Sequence, residues 1–251
     1  MKIKKHLARL VALSLSLCLL LAFSGCGFQV TYENAESYTA GALQTEKTIK
    51  SLEIHWVSGE VSVLGAMTTK LIAYDNHAAG GEEGLYHQLD GDTLRIYPCA
   101  SGIDAPDFAK KLTVKIPLAY AYELESVRIV AVGDTKATLG SLGTQDLTVT
   151  AEDGDVSFDG SFETASITTK RGNFTAKSMS FDKLNFVSDK GNANLSLHTN
   201  GFTAVMREGK GRFTTTYAAY RNGDVYTFGT MEDELLLLTA GTVTLKDSPI
   251  Q

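Results

Sequence analysis

The stretch Glu152-Asp153-Gly154-Asp155-Val156-Ser157-Phe158, EDGDVSF, joins a turn signal to the opening of a short strand. Near-copies recur along the chain: VSGEVSV from Val57, KRGNFTA from Lys170, DKGNANL from Asp189 and RNGDVYT from Arg221, with looser versions AVGDTKA from Ala131 and AGTVTL from Ala240. A constellation that performs chemistry is normally needed once. A pattern rewritten over half the chain points to architecture.

The glycines set the period. Taking Gly133, Gly154, Gly172, Gly191, Gly209, Gly223 and Gly241 as equivalent, the steps are 21, 18, 19, 18, 14 and 18 residues. Such spacing predicts a solenoid in which each repeat forms one coil and stacks on its neighbour. Seven and five positions before the glycines stand Leu147 and Val149, Ala165 and Ile167, Leu184 and Phe186, Phe202 and Ala204; two positions after stand Val156, Phe174 and Ala193. Apolar alternation on both sides of a bend means two short strands facing one core. Glycine is expected at the bend because it takes positive φ without steric cost. Thr148, Thr150, Thr168, Thr175 and Thr203 then point outward.

The fold expected is therefore all-β, a β-solenoid like a single-stranded β-helix, occupying 123–251. Residues 48–122 share the corner at Gly59, with Leu52, Ile54, Val61 and Val63 in register, and then lose the period. QLDGDTLRIYP reads as a hairpin at Asp90-Gly91, and KKLTVKIPLAY as a strand broken at Pro117. This region is expected to be irregular β structure continuous with the solenoid and covering one end, or a small sandwich. Strand edges at the ends of such a rod invite association, so the terminal segments are the expected caps.

The first 25 residues have a different character. Lys2, Lys4, Lys5 and Arg9 precede an uncharged apolar run from Leu10 to Phe23, the layout of a secretory signal peptide and too short for a comfortable membrane span. Leu21-Ala22-Phe23-Ser24-Gly25-Cys26 resembles the bacterial lipobox at Ser24, Gly25 and Cys26, with Phe23 where Leu is usual. That resemblance implies a lipoprotein whose Cys26 carries acyl chains, such as palmitate, and partners the membrane through them; a plain cleaved signal or an uncleaved anchor is the alternative. Residues 26–47 are polar and aperiodic and read as a spacer beyond the lipidated cysteine. Removing 1–25 takes Lys plus Arg from 23 to 19 against 29 Asp plus Glu, which argues against nucleic acid as a partner. Cys18 leaves with the signal and Cys26 is the acyl site, so Cys99 has no disulfide partner and is expected to be buried.

LEIHWVSGEVSV from Leu52, LTVKIP from Leu112 and the Gly-polar-apolar corners from Gly133 onward together resemble the bacterial surface proteins grouped as candidate adhesins with DUF4097-type β-strand repeats. The resemblance covers about 200 residues and implies a solenoid-like fold and exported or membrane-associated placement. It brings no catalytic residues.

Asp153 and Asp155, Asp90 and Asp92, and Asp224 flank or follow glycines, where carboxylates serve turns more often than glycoside hydrolysis or calcium binding. One corner position holds Asp155, Asn173, Asn192, Asp224, Glu60 and Lys210, an interchange that chemistry would not tolerate. His77, Glu82, Glu83 and His87 form the best metal-like cluster, yet a Gly-rich acidic loop usually is a solvated connection. No catalytic, metal or cofactor site is assigned, and the protein is not read as an enzyme. Tyr217, Tyr220, Arg221, Tyr226 and Phe228 crowd the shortest repeat and are the candidate binding residues, although strand alternation would turn half of them inward. The function expected is a lipid-anchored, non-catalytic scaffold or adhesin-like surface whose partner is an envelope protein or a polysaccharide. The alternatives are an envelope-stress sensor binding a membrane partner, and a carbohydrate-active β-helix enzyme.

Overall fold

The structure, a computed structural model, describes residues 29–76, 81–178, 180–206 and 211–247. They form a two-faced β-solenoid. In each coil one strand precedes the corner and lies on the first face; the next follows the corner and lies on the second face. The long strands Ser51–Ala66, Leu124–Ala151 and Val156–Thr169 bend from one face to the other without a break.

Parallel pairing defines the stack. On the second face, 59–64 pairs with 135–140, 137–140 with 156–159, Phe174–Ser178 with 156–160, and Ala193–Leu197 with Phe174–Ser178. On the first face, 51–57 pairs with 126–132, 147–151 with 165–169, and Lys183–Ser188 with 164–169. The alternation read from the sequence appears as burial: Leu147, Val149, Ala165, Ile167, Leu184, Phe186, Phe202, Ala204, Val156, Phe174 and Ala193 are all buried between the faces. Thr148, Thr150, Thr168 and Thr203 are half-buried on the outside and Thr175 is exposed. Each fully buried Phe or Leu contributes about 1.5–3 kcal/mol, so the shared interior is what holds the coils together.

The order of coils differs from the order of repeats. After the Gly191 coil the next in space is the Gly241 coil: Asp233–Thr239 pairs with Lys183–Ser188, and Thr242–Lys246 with Ala193–Leu197. The coil of Gly201–Met206 and Arg212–Thr215 stacks outside it, although it comes earlier in the chain. Its corner, with Gly209 and Lys210, lies outside the described residues. Gly223 is not a coil corner. It turns an antiparallel hairpin, Tyr220–Asn222 with Val225–Gly229, whose second strand lies on Gly201–Met206 and closes that end. The short step of 14 residues is the signature of that hairpin.

The other end is built in the same way. The Gly59 coil lies inside the stack, because Thr93–Tyr97 and Lys110–Pro117 pair with its outer side. Antiparallel additions complete the closure: Tyr86–Asp90 on Thr93–Tyr97, Leu71–Asp75 on Lys110–Pro117, and Leu43–Thr45 on Leu71–Asp75. One end is thus capped by residues 71–117 together with the segment 39–45, the other by 201–229, while the Gly59 and Gly241 coils are enclosed. Two straps make this possible. Residues 118–123 cross the Gly59 coil, with the Leu118 amide donating to Ala66 O at 3.0 Å and the Gly143 amide to Ala121 O at 2.9 Å. Residues 229–232 cross 199–201 so closely that a methyl group on Gly201 would sit 2.0 Å from Thr230 N.

Residues 29–45 are not a free spacer. Gln29–Val30 pairs with Ile103–Asp104, Thr39–Ala40 with Tyr86–Asp90, and Leu43–Thr45 with Leu71–Asp75. The strands are too short to produce a period, and the tyrosines between them supply the burial: Tyr32 stacks on Tyr97 at 4.0 Å, and His55 stacks on the same ring at 4.7 Å. Residues 1–28, including the signal and Cys26, lie outside the described residues.

Candidate functional site

The five candidate binding residues lie on and beside the closing hairpin, and strand alternation divides them. Tyr226 and Phe228 pair with Ala204 and Phe202 and share their core-facing side. The Tyr226 ring meets Phe213 at 4.6 Å and the Phe228 ring meets Tyr217 at 4.8 Å, while Phe202 lies 5.6 Å from Tyr217. Together these rings plug the open end of the core. The Tyr217 hydroxyl donates to Leu197 O at 2.8 Å and lies 2.9 Å from Asp247 Oδ1; burial first, and then Asp247, raise its pKa well above the ordinary value. Tyr220 and Arg221 face solvent. Tyr220 is 72% exposed, and the Arg221 guanidinium sits 5.3 Å from the Tyr226 ring centre while its Nε donates to Gly223 O at 2.9 Å. What this end can offer a partner is one exposed tyrosine, one arginine held on an aromatic face and the outer edge of Arg212–Thr215.

The carboxylates of Asp153, Asp155 and Asp90 are engaged with their neighbours. Asp153 receives both Nε and an Nη of Arg171 from the next coil, an exposed pair that holds the Asp153 carboxyl below its usual range. Asp155 Oδ1 accepts from Asn173 N at 2.8 Å and Nδ2 at 3.0 Å; Asn173 Oδ1 accepts in the same way from Asn192, and Asn192 Oδ1 accepts from Thr242 N at 2.8 Å. A ladder of side-chain amides therefore runs along one edge over four coils. Asp90 lies 3.5 Å from Arg95 at the tip of its hairpin, and Asp92 O accepts from the amides of Lys50 and Ser51.

A second set of corner contacts escaped the sequence reading. Thr169 Oγ1 donates to Gly172 O at 2.8 Å, Ser188 Oγ accepts from Gly191 N at 2.7 Å, and Thr239 Oγ1 donates to Gly191 O at 2.7 Å. These buried hydroxyls, stacked in register, fasten the chain two or three residues before each glycine. The repeated Ser or Thr at that offset was the available signal.

In the metal-like loop, His77 lies outside the described residues, Glu82 and Glu83 are exposed, and His87 is buried, which lowers its pKa. Among the described residues no group of three or more His, Cys, Asp or Glu is arranged to hold a metal ion. Lys110 is fully buried beside it, 2.7 Å from Asp75 Oδ2 and 2.6 Å from Glu83 O, and also donates to Pro98 O. Its three donors thereby meet three acceptors, as a buried ammonium requires. Cys99 is buried and free, and burial pushes its thiol up to about 11, so it is an inert apolar neighbour.

Fold and corners define the chain as a β-solenoid of stacked two-strand coils with capped ends. Residues 88–209 match the family model described as Toastrack DUF4097. No curated protein matches it. Among solved structures, a provisionally assigned cell adhesion protein from Clostridium sporogenes aligns at 10% identity, over 83% of this chain and 100% of its own, with a TM-score of 0.45. A provisionally assigned adhesin from Bacteroides fragilis aligns at 13% identity, over 81% and 96%, with a TM-score of 0.41. A provisionally assigned lipid binding protein from Parabacteroides distasonis aligns at 11% identity, over 87% and 99%, with a TM-score of 0.34.

Proposed function

We propose that the protein is an exported, non-catalytic binding scaffold held at the cell envelope by acyl chains on Cys26. The observation that carries the scaffold reading is the amide ladder with its paired corners: the polar residues that recur with the coils are occupied by other coils. The lipobox-like Ser24-Gly25-Cys26 supports the anchor. Two acyl chains suffice for stable attachment, where one is marginal. With Gln29 already paired to Asp104, only Gly27 and Phe28 separate Cys26 from the folded body, and the three residue steps reach at most about 11 Å. The capped end near Gln29 would then stay close to the bilayer, and the end bearing Tyr220 and Arg221 would stand roughly 34 Å away, eight layers at about 4.8 Å spacing.

Three measurements test this. Cys26→Ala should move the protein from the membrane fraction to the soluble or secreted fraction and abolish incorporation of labelled palmitate; unchanged membrane association would end the anchor. Crosslinking on intact cells should capture a surface partner. Turnover of an oligosaccharide or peptide by purified protein would overturn the non-catalytic reading.

A further inference from the structure

Outside the aromatic cap, one groove combines an exposed ring with unengaged polar groups. It lies beside the strap 118–123, on the edge of the rod opposite the corner glycines, and is a shallow, open groove of about 240 Å³, somewhat below the about 300–1,000 Å³ of sites that engulf a whole small ligand. Tyr122 forms its wall and is 55% exposed. The ring is set there by the backbone, because a methyl group on Gly143 would come within 2.9 Å of Tyr122 Cδ1 and 3.0 Å of Ser161 Oγ. Only glycine lets the strap lie this flat, and the Gly143 amide bonds Ala121 O at 2.9 Å to hold it. The strap backbone is thereby held against Gly143.

The remaining lining fixes the class of ligand. Glu123, Gln145, Ser161 and Glu163 border the groove over buried Leu124 and Phe162, and among the described residues none of those four side chains is tied to another group. An aromatic face with amide, hydroxyl and carboxylate groups around it is what a pyranose ring meets: apolar C–H bonds on the ring, hydroxyls on the polar groups. No Lys or Arg lines the groove, so two carboxylates would repel a polyanion. A single ring makes no cage for an alkylammonium.

We propose that this groove binds a segment of neutral polysaccharide, with Tyr122 as the stacking platform and Glu123, Gln145 and Glu163 receiving hydroxyls. The proposal rests on the scaffold reading and gives it a ligand class.

The test uses the whole soluble chain carrying Cys26→Ala, titrated by calorimetry and ligand-observed NMR with cellohexaose, laminarihexaose, maltohexaose, xylohexaose and chitohexaose, and with oligogalacturonate as the anionic control. At least one neutral oligosaccharide should bind, and Tyr122→Ala should weaken it by about tenfold or more, equivalent to about 1.4 kcal/mol. Tyr122→Phe should retain binding, and an unchanged melting temperature for both variants would show that the fold is intact. Binding unaffected by Tyr122→Ala, a preference for oligogalacturonate, or no binding at all would overturn the site. If a surface partner is still crosslinked on intact cells in those cases, the scaffold reading stands without it. Hydrolysis of a bound oligosaccharide would keep the sugar site and overturn the non-catalytic reading.

Discussion

The side-chain oxygen of Asn173 accepts two hydrogen bonds from Asn192, one from the backbone N–H and one from Nδ2, each at 3.1 Å. One amide thus repeats for its neighbour what Asp155 does for it. Asn173→Ala would cut the ladder in its middle, removing side-chain bonds to the coils on both sides. Net hydrogen-bond contributions of about 0.5–1.5 kcal/mol each lead us to expect a loss of about 2 kcal/mol in urea unfolding, discounted for partial exposure. Asn173→Asp should cost more than Asn173→Ala, because it sets a second carboxylate against Asp155.

Gly172 has a different reason to be glycine from the one its turn pattern suggests. Its backbone is not in the left-handed region; a methyl group there would lie 2.0 Å from Gly154 O. Gly172→Ala must push two coils apart and should cost at least about 3 kcal/mol, at the upper end of overpacking penalties. At Gly91, where φ is +60° and nothing lies within 4 Å, alanine should cost only the left-handed backbone penalty of about 1–2 kcal/mol. Chemical denaturation of the two variants decides the comparison.

Enclosure of the last coil makes a prediction for hydrogen exchange. Repeat stacks normally fray at their chain ends. Here the amides of Leu235–Leu238 and Val243–Leu245 should exchange as slowly as those of Lys183–Ser188, and more slowly than those of Arg212–Thr215 or the hairpin Tyr220–Gly229. Fast exchange confined to 233–246 would contradict the inserted order.

Asp233 gives the stability a pH dependence. Burial raises its carboxyl above the ordinary value, the carboxylates of Asp182 and Glu232 add to the shift, and a hydrogen bond with Thr199 opposes it. The folded protein therefore holds this proton more tightly than the unfolded chain. Its contribution is most favourable below the ordinary carboxylate range and declines as pH rises through the raised value. Asp233→Asn should melt higher than the parent at neutral pH, and the difference should vanish in acid. A gain that persists below the ordinary carboxylate range would point to packing instead of charge.

The interior of this solenoid was legible because Leu147, Ile167, Phe186 and their equivalents obey one alternation, and burial follows alternation with little regard for context. Neighbour order was not. Leu235 and Leu237 fill the same inward positions as Leu184 and Phe186, so the pattern says which way they face but not which coil they meet. Gly223 was misread because a hairpin tip, Asn222-Gly223-Asp224, and a coil corner use the same turn residues. At Gly154, Gly172, Gly191 and Gly241 the requirement is the closeness of a carbonyl in the adjacent coil, a distance that no single repeat contains. The candidate cluster was half legible: alternation separates Tyr226 and Phe228 from Tyr220, but the Tyr122 groove depends on a strap crossing another coil, which local pattern does not encode.

A rod sealed at both ends encloses its Gly59 and Gly241 coils. Adding a repeat before Ser51 or after Lys246 would drive new strands against layers already paired on both sides. Duplicating or deleting one 18-residue unit between Gly154 and Gly172 leaves both seals and both straps untouched. Related chains of different length are therefore expected to differ by whole coils in the middle of the stack, which would set the distance between the two capped ends in steps of about 4.8 Å.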